Sequence, residues 1–332
     1  MRLFITGGAG YCGARMVPQL LDLGYEVTVY DRCFFGKDFL PKNNKRFRLV
    51  EGDIRDTKLI EESCKQHDVF INLACISNDA SFELDKALST SVNLNAFLPM
   101  VKAAKRSGIK RFIYASSSSV YGVSDAPEVT EEHPLVPLTL YNKYKGECEP
   151  QLLLEATIDF ETVIFRPATV CGYSPRQRLD VSVNILTNLA INTNKITVFG
   201  GDQRRPNIHI QDYIDVIKLL ITAPADKVQK QIFNVGNENL TISSIAEIVK
   251  KVVLLNFPEK AEIQVTHSKN DDNRSYHINS DKIYNVLGFR AKRTVEDAVQ
   301  ELCDAFKDDL LPNSLSDNKY FNVRTLKDLA IK

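Results

Sequence analysis

Tyr141 and Lys145 stand four positions apart in "YNKYK" (141–145). On a helix that spacing puts a phenol and an ammonium on one face, close enough to interact. Two readings are open: a solvated helix surface, or a phenol whose proton is managed by the ammonium. A free tyrosine titrates at about 10, too high to take a hydroxyl proton at neutral pH, and a nearby cation favours the phenolate. Upstream, "SSSS" (116–119) supplies hydroxyls directly after an apolar run. At the other end of the chain, "TGGAGYCG" sets Gly7, Gly10 and Gly13 in the spacing G-x-x-G-x-x-G, directly after "RLFI" and at the start of a helical pattern. Glycine there allows a tight turn and lets backbone N–H groups approach a pyrophosphate at the helix N-terminus; a strand-to-helix turn without a ligand would use the same residues.

The elements that position these residues alternate. "RLFIT" (2–6), "EVTVY" (26–30), "FRLVEG" (47–52), "VFINLA" (69–74), "RFIYAS" (111–116) and "DFETVIFRP" (159–167) read as buried strands, with helical patterns at 11–23, 56–66 and about 83–107. Strands alternating with helices imply right-handed βαβ units and a parallel sheet. The fold class is therefore α/β: a Rossmann-type doubly wound parallel sheet over 1–167, to which segments at about 205–235 return, and a smaller mixed α/β lobe over 168–332. In that lobe "ITVFGG" and "RPNIHI" are strand candidates. "TISSIAEIVKKVV", "SDKIYNVLG" and "TVEDAVQELCDAF" are helices with polar starts. The tail after Pro312 is polar and is expected to wrap the surface.

The strand ends carry further chemistry. Asp31 closes the second strand 18 positions after Gly13, near the offset at which an acid accepts from the adenosine ribose hydroxyls. An acid there repels a 2′-phosphate and favours NAD over NADP, whereas the neighbouring Arg32 could pair such a phosphate. Asp53, at the third strand end, can bond the adenine amino group, and Ile54 can pack on the ring. Ala74 is small where a backbone would pass the cofactor.

Composition narrows the partners. Lys+Arg and Asp+Glu are both 42 among 332 residues, a balance that argues against a broad basic surface for nucleic acid or anionic membrane but not against a local basic pocket. No apolar run approaches the roughly 18 residues of a membrane span. The start "MRLFITGGAG" reads as a strand and glycines, not a signal peptide. Seven scattered cysteines without a C-x-x-C fit reduced thiols, and five histidines outside ligand spacing imply no metal; a cytoplasmic location is expected.

In order along the chain, "TGGAGYCG", "VYD", "GDIRD", "NLA", "YASSSSVYG", "YNKYK", "FRPATVCG" and "RRPNIHIQD" resemble the extended short-chain dehydrogenase/reductases, specifically the nucleotide-sugar epimerase/dehydratase group. The resemblance covers roughly residues 3–215. It implies NAD as cofactor, a nucleotide-diphosphate sugar as substrate and a homodimer paired through the Tyr141 helix and the helix near 83–107. It makes Tyr141 the catalytic acid/base, Lys145 its partner, which also bonds the cofactor ribose, and Ser117 the hydroxyl that bonds the substrate. Tyr11, Cys12, Leu73 and Pro167 join the cofactor contacts. Ser118, Arg176, Arg178, Asn184, Arg205 and Arg274 fall where substrate contacts are expected. Sugar 4,6-dehydratases carry Asp-Glu where this chain has Ser118 and Ser119, which argues against loss of water. "VCGYSPRQRLD" departs from the common V-Y-G form at Cys171, and "PRQRLDVSVN" resembles a subgroup of capsule and lipopolysaccharide sugar synthesis that includes heptose 4-dehydrogenases. Three activities are implied: a nucleotide-sugar 4-epimerase, a hexose or heptose 4-dehydrogenase or 4-ketoreductase, and a catalytically silent NAD-binding regulator.

Overall fold

Period-two alternation in the first strand builds the two faces of a sheet. In β1 (Arg2–Thr6), Leu3 and Ile5 join one buried cluster while Phe4 joins another. On the Phe4 side, Phe70 and Phe112 continue a row of rings, with centroids 5.0 and 4.7 Å apart. The structure, a computed structural model, describes residues 1–124, 126–268 and 275–329. Arg274 lies outside the described residues.

The central sheet contains β1, β2 (Glu26–Asp31), β3 (Phe47–Glu51), β4 (Val69–Asn72), β5 (Arg111–Ala115), β6 (Glu161–Pro167) and the strand Gln231–Val235. All seven are parallel, in the order Gln231–Val235, β6, β5, β4, β1, β2, β3. The chain winds outward from β1 in one direction, then restarts at β4 on its other side. Ligands of such sheets bind at this switch, beyond the carboxyl ends of the strands. There Thr6 donates to the Asn72 side chain at 2.7 Å, locking the ends of β1 and β4 together.

The second lobe has a three-stranded sheet (Glu238–Thr241, Arg204–His209, Thr169–Cys171) and a parallel pair, Lys195–Phe199 with Gln264–Ser268. Helices Ser182–Thr193, Ile242–Asn256 and Val295–Lys307 share its core. The polar helix starts act as caps: Thr241 accepts from the Ser244 N–H, and Thr294 forms a reciprocal capping box with Asp297.

Two expectations are corrected. The single helix over 83–107 is instead Lys86–Thr90, a π-helical turn Ser91–Asn95, and Phe97–Arg106. The wide turn brings Asn93 against the loop after β4, where its amide exchanges two 2.9 Å hydrogen bonds with the Ile76 backbone. The tail after Pro312 does more than wrap the surface. Tyr320 and Phe321 are buried against Leu179, Leu302 and Leu311, which seats the following helix, Asn322–Asp328, at the sheet's carboxyl edge.

Among the described residues, no helix is long and apolar enough to cross a membrane, and no group of three or more His, Cys, Asp or Glu could hold a metal. All seven cysteines are free thiols.

Candidate functional site

A cavity of about 430 Å³ runs along the carboxyl edge of the sheet, from the end of β3 to the helix bearing Tyr141. At its centre is the glycine turn. Gly7 has φ +74°, and a Cβ there would come within 2.6 Å of the Ala74 nitrogen. A Cβ on Gly13 would come within 2.3 Å of the Gly8 oxygen. The helix Tyr11–Asp22 then starts from Gly10 with no side-chain cap, which leaves its leading N–H groups to a ligand. The chain is pared to backbone where a dinucleotide would lie, so the residues present fit one.

The cavity end at the close of β2 and β3, where adenosine is expected, is held from below. Asp31 accepts from the Ala9 N–H at 2.9 Å and the Cys33 N–H at 2.8 Å, so its carboxylate stiffens the glycine turn as well as facing the cavity. Burial pushes its carboxyl above the ordinary range, opposed by those backbone bonds. Arg32, the candidate 2′-phosphate reader, is engaged elsewhere: it pairs with Asp53 and lies 4.7 Å from the Phe34 ring centroid. Arg55 binds the same carboxylate at 2.7 Å. Burial would raise the Asp53 carboxyl, but the hydrogen bonds from Arg55 and then Arg32 hold it at about 2. Cys12, Ile54, Leu73, Ala74 and Pro167 line the cavity. Tyr11 lines it too, but its hydroxyl turns to the second lobe, donating to the Gly172 carbonyl at 2.6 Å.

At the other end, Thr139 caps the helix Leu140–Leu154 and sends Tyr141 and Lys145 into the cavity. The ammonium of Lys145 donates to the Ala115 carbonyl at 2.8 Å. Burial raises the Tyr141 phenol well above the ordinary range; Cys75 and Asp79 push the same way, and Arg178 acts against them. Ser117 joins a hydroxyl chain: its Oγ is 2.7 Å from Ser119 Oγ, which donates to Asn142 at 2.5 Å. Ser118 lines the cavity with 1% of its surface exposed. Tyr144 faces away, packing 5.6 Å from Phe82 between ring centroids.

Beneath this end lies a buried polar network. Glu149, two turns beyond Tyr141, accepts from Ser116 at 2.6 Å and from Arg166 Nε and Nη2 at 2.9 and 2.5 Å. Arg166 also donates to Tyr121 at 2.6 Å. These bonds fasten the Tyr141 helix to β5, β6 and the turn after "SSSS".

The substrate candidates divide. Arg178 lines the cavity and pairs with Asp180 at 2.5 Å. Arg205 lines it with its guanidinium 5.9 Å from the Tyr276 ring centroid. Arg176 lines it from the glycine-turn side, stacked 3.8 Å from the Phe35 ring centroid. Asn184 is not on the wall: its amide is used by the Gly172 backbone, the Tyr11 hydroxyl and the Arg178 carbonyl.

Sequence reading missed Cys75, Asn142, Tyr276 and Asn322, all on the wall. Cys75 follows Ala74 and Asn142 lies inside "YNKYK", so both were adjacent to a recognised signal. Asn322 had none. It reaches the site because the tail folds back, and there it bonds Ser77 at 2.8 Å, Arg176 at 2.6 Å and, through its N–H, Asp180 at 2.9 Å.

A family model described as the NAD dependent epimerase/dehydratase family matches residues 3–236. A dTDP-glucose 4,6-dehydratase of Streptomyces niveus is 24% identical over 328 residues, 93% of each chain. A UDP-glucose 4-epimerase of Rhizobium meliloti is 25% identical over 307 residues, 86% of this chain and 91% of that one. Among solved structures, a UDP-glucose 4-epimerase from Thermotoga maritima with UDP-glucose superposes with TM-score 0.82 at 22% identity, covering 93% of this chain and all of that one.

Proposed function

The chain belongs to the NAD-dependent epimerase/dehydratase family, and from that premise we propose that it is a nucleotide-sugar 4-epimerase. The observation that carries this reading is the wall of the cavity. Ser117, Tyr141 and Lys145 line the same space as the glycine turn, while serines stand at 118 and 119 where elimination of water would need carboxylates.

NAD supplies a hydride acceptor for the sugar carbon. The protein's part is to move one proton and hold one geometry. Tyr141 takes the sugar hydroxyl proton as the carbon loses its hydride, and returns it when the ketone is reduced. To take that proton the phenol must be ionised: burial works against this, Arg178 works for it, and a positive charge on a bound cofactor would act in the same direction as Arg178. Ser117, tied through Ser119 to Asn142, orients the hydroxyl. Lys145, anchored on Ala115, keeps two further ammonium donors that would serve the cofactor ribose and the phenol. Arg178 and Arg205 lie where they can meet a substrate diphosphate. A homodimer belongs to the same reading, through surface residues such as Pro99 and Leu154, the latter 84% exposed.

The test is incubation with UDP-, GDP-, CDP- and dTDP-hexoses and heptoses, with products identified by NMR and NADH followed by absorbance. A 4-epimer without accumulating NADH is the expected result. Stoichiometric NADH with a 4-keto sugar would move the chain to the 4-dehydrogenases. A 4-keto-6-deoxy sugar would overturn the argument from Ser118 and Ser119.

A further inference from the structure

Arg176 is nearly fully enclosed, 4% exposed, yet poorly partnered. Its Nη2 donates to Asn322 Oδ1 at 2.6 Å, and its Nε has no hydrogen-bond partner. A buried guanidinium donor left unmet is costly, so it marks a place where an acceptor belongs. The side chain is also well held. Its guanidinium carbon sits over the Phe35 ring, 3.8 Å from the centroid, and Asn322 is itself tied to Ser77 and Asp180. Burial, and after it the like charge of Arg178, draw the guanidinium down to about 9; Asp180, Asp31 and Tyr11 oppose them. It is therefore still a cation at neutral pH, and it shares a cavity wall with Gly7, Gly10, Gly13 and Asp31. Ser174, two residues away, donates to the Tyr11 carbonyl at 2.6 Å, which fixes this loop directly over the turn.

The glycine turn offers N–H groups but no charge, whereas a dinucleotide's diphosphate carries two negative charges. We propose that Arg176 is a ligand of the NAD diphosphate, reaching down from the second lobe to close over the glycine turn, with Phe35 and Asn322 as its positioning residues. This reassigns to the cofactor a residue that the sequence placed with the substrate. It rests on NAD being the cofactor and on nothing about the sugar or the reaction. A guanidinium suits the task because its planar fork meets two phosphate oxygens at once.

Isothermal titration with NAD, ADP-ribose and UDP, and ligand-observed NMR with adenosine, test it on wild type, Arg176→Met, Arg176→Lys and Asn322→Ala. Arg176→Met should weaken NAD and ADP-ribose by about 10- to 100-fold, the usual worth of a charged hydrogen-bonding group. Adenosine should change by less than about twofold, since it lacks the diphosphate. Arg176→Lys, which keeps charge but loses the fork, should fall between. Asn322→Ala should lose a few-fold. Wild-type affinity for NAD in Arg176→Met would overturn the proposal, as would an equal loss for adenosine, or a loss confined to UDP binding. If Arg176→Met does not fold, Arg176→Lys decides, because unchanged ADP-ribose affinity in that variant is equally fatal. Failure of wild type to bind NAD would instead strike at the cofactor itself.

Discussion

Arg166 and Arg176 stand ten positions apart, each about as buried as the other, at 3% and 4% exposure, and their surroundings are opposites. Arg166, under the Tyr141 helix, uses Nε, Nη1 and Nη2 on Glu149, Tyr121 and the Glu131 carbonyl. Burial works against its charge, but the Glu149 carboxylate and the Tyr121 hydroxyl outweigh burial and raise its pKa. Arg176, over the glycine turn, is pulled down by burial and by Arg178 and keeps a donor unmet. The difference separates scaffold from site. A buried charge whose partners are all protein holds elements together, and one whose partners are incomplete is arranged for a ligand. The same contrast divides the helix Leu140–Leu154 along its length: Glu149 is saturated, while Tyr141 and Lys145 face the cavity.

If the contrast is right, the two regions fail in different ways. On the cavity side, Tyr141→Phe removes one hydroxyl and should lower turnover by about a hundred- to ten-thousand-fold with the melting temperature unchanged. Steady-state kinetics beside thermal melts check this, and a variant that keeps wild-type turnover would return Tyr141 to an ordinary packed helix position. On the scaffold side, Arg166→Met strands the Glu149 carboxylate in the interior and should cost about 3–5 kcal/mol of stability. Urea unfolding measures it, and a loss under about 1 kcal/mol would mean the network contributes little to holding the helix.

A third group sits between the two cases and sharpens the line. Glu301 joins the lobes: both of its oxygens accept from Arg15 at 2.7 Å, and it accepts from the Tyr173 N–H at 2.9 Å. Burial would raise its carboxyl, but the bonds from His209 and then Arg15 hold it at about 2. The folded value lies below the unfolded one of about 4.3, so its contribution is complete above that pH and is lost as pH falls toward 2. Glu301→Gln should therefore be less stable than wild type at neutral pH, by the least of the three effects. The two proteins should converge in melts taken from about pH 4.5 down to about pH 2. A gap that stays constant across that window would mean the carboxylate's charge is not what joins the lobes.

Local signals carried most of the fold. Leu3 and Ile5 alternate with Phe4, and Gly7 and Gly13 stand where a Cβ would collide with backbone; such features depend on neighbours a few residues away and can be read in order. The four-residue spacing of Tyr141 and Lys145 is of this kind, since a helix turns it into a shared direction. The long helix over 83–107 was misread because the π-helical turn at Ser91–Asn95 answers to Ile76, a partner in another element.

What the sequence determined by itself is thus the parallel sheet, the glycine turn and the placing of a phenol and an ammonium on one helix, both facing the cavity. Tertiary structure decided which charges meet. Arg32 is taken up by Asp53, Asn184 by the backbone under the wall, and Arg176 by Asn322, 146 residues away, with one donor left over. The strength of a charge depends on its burial and on every partner within a few ångströms, and those partners are gathered only when the whole chain has folded.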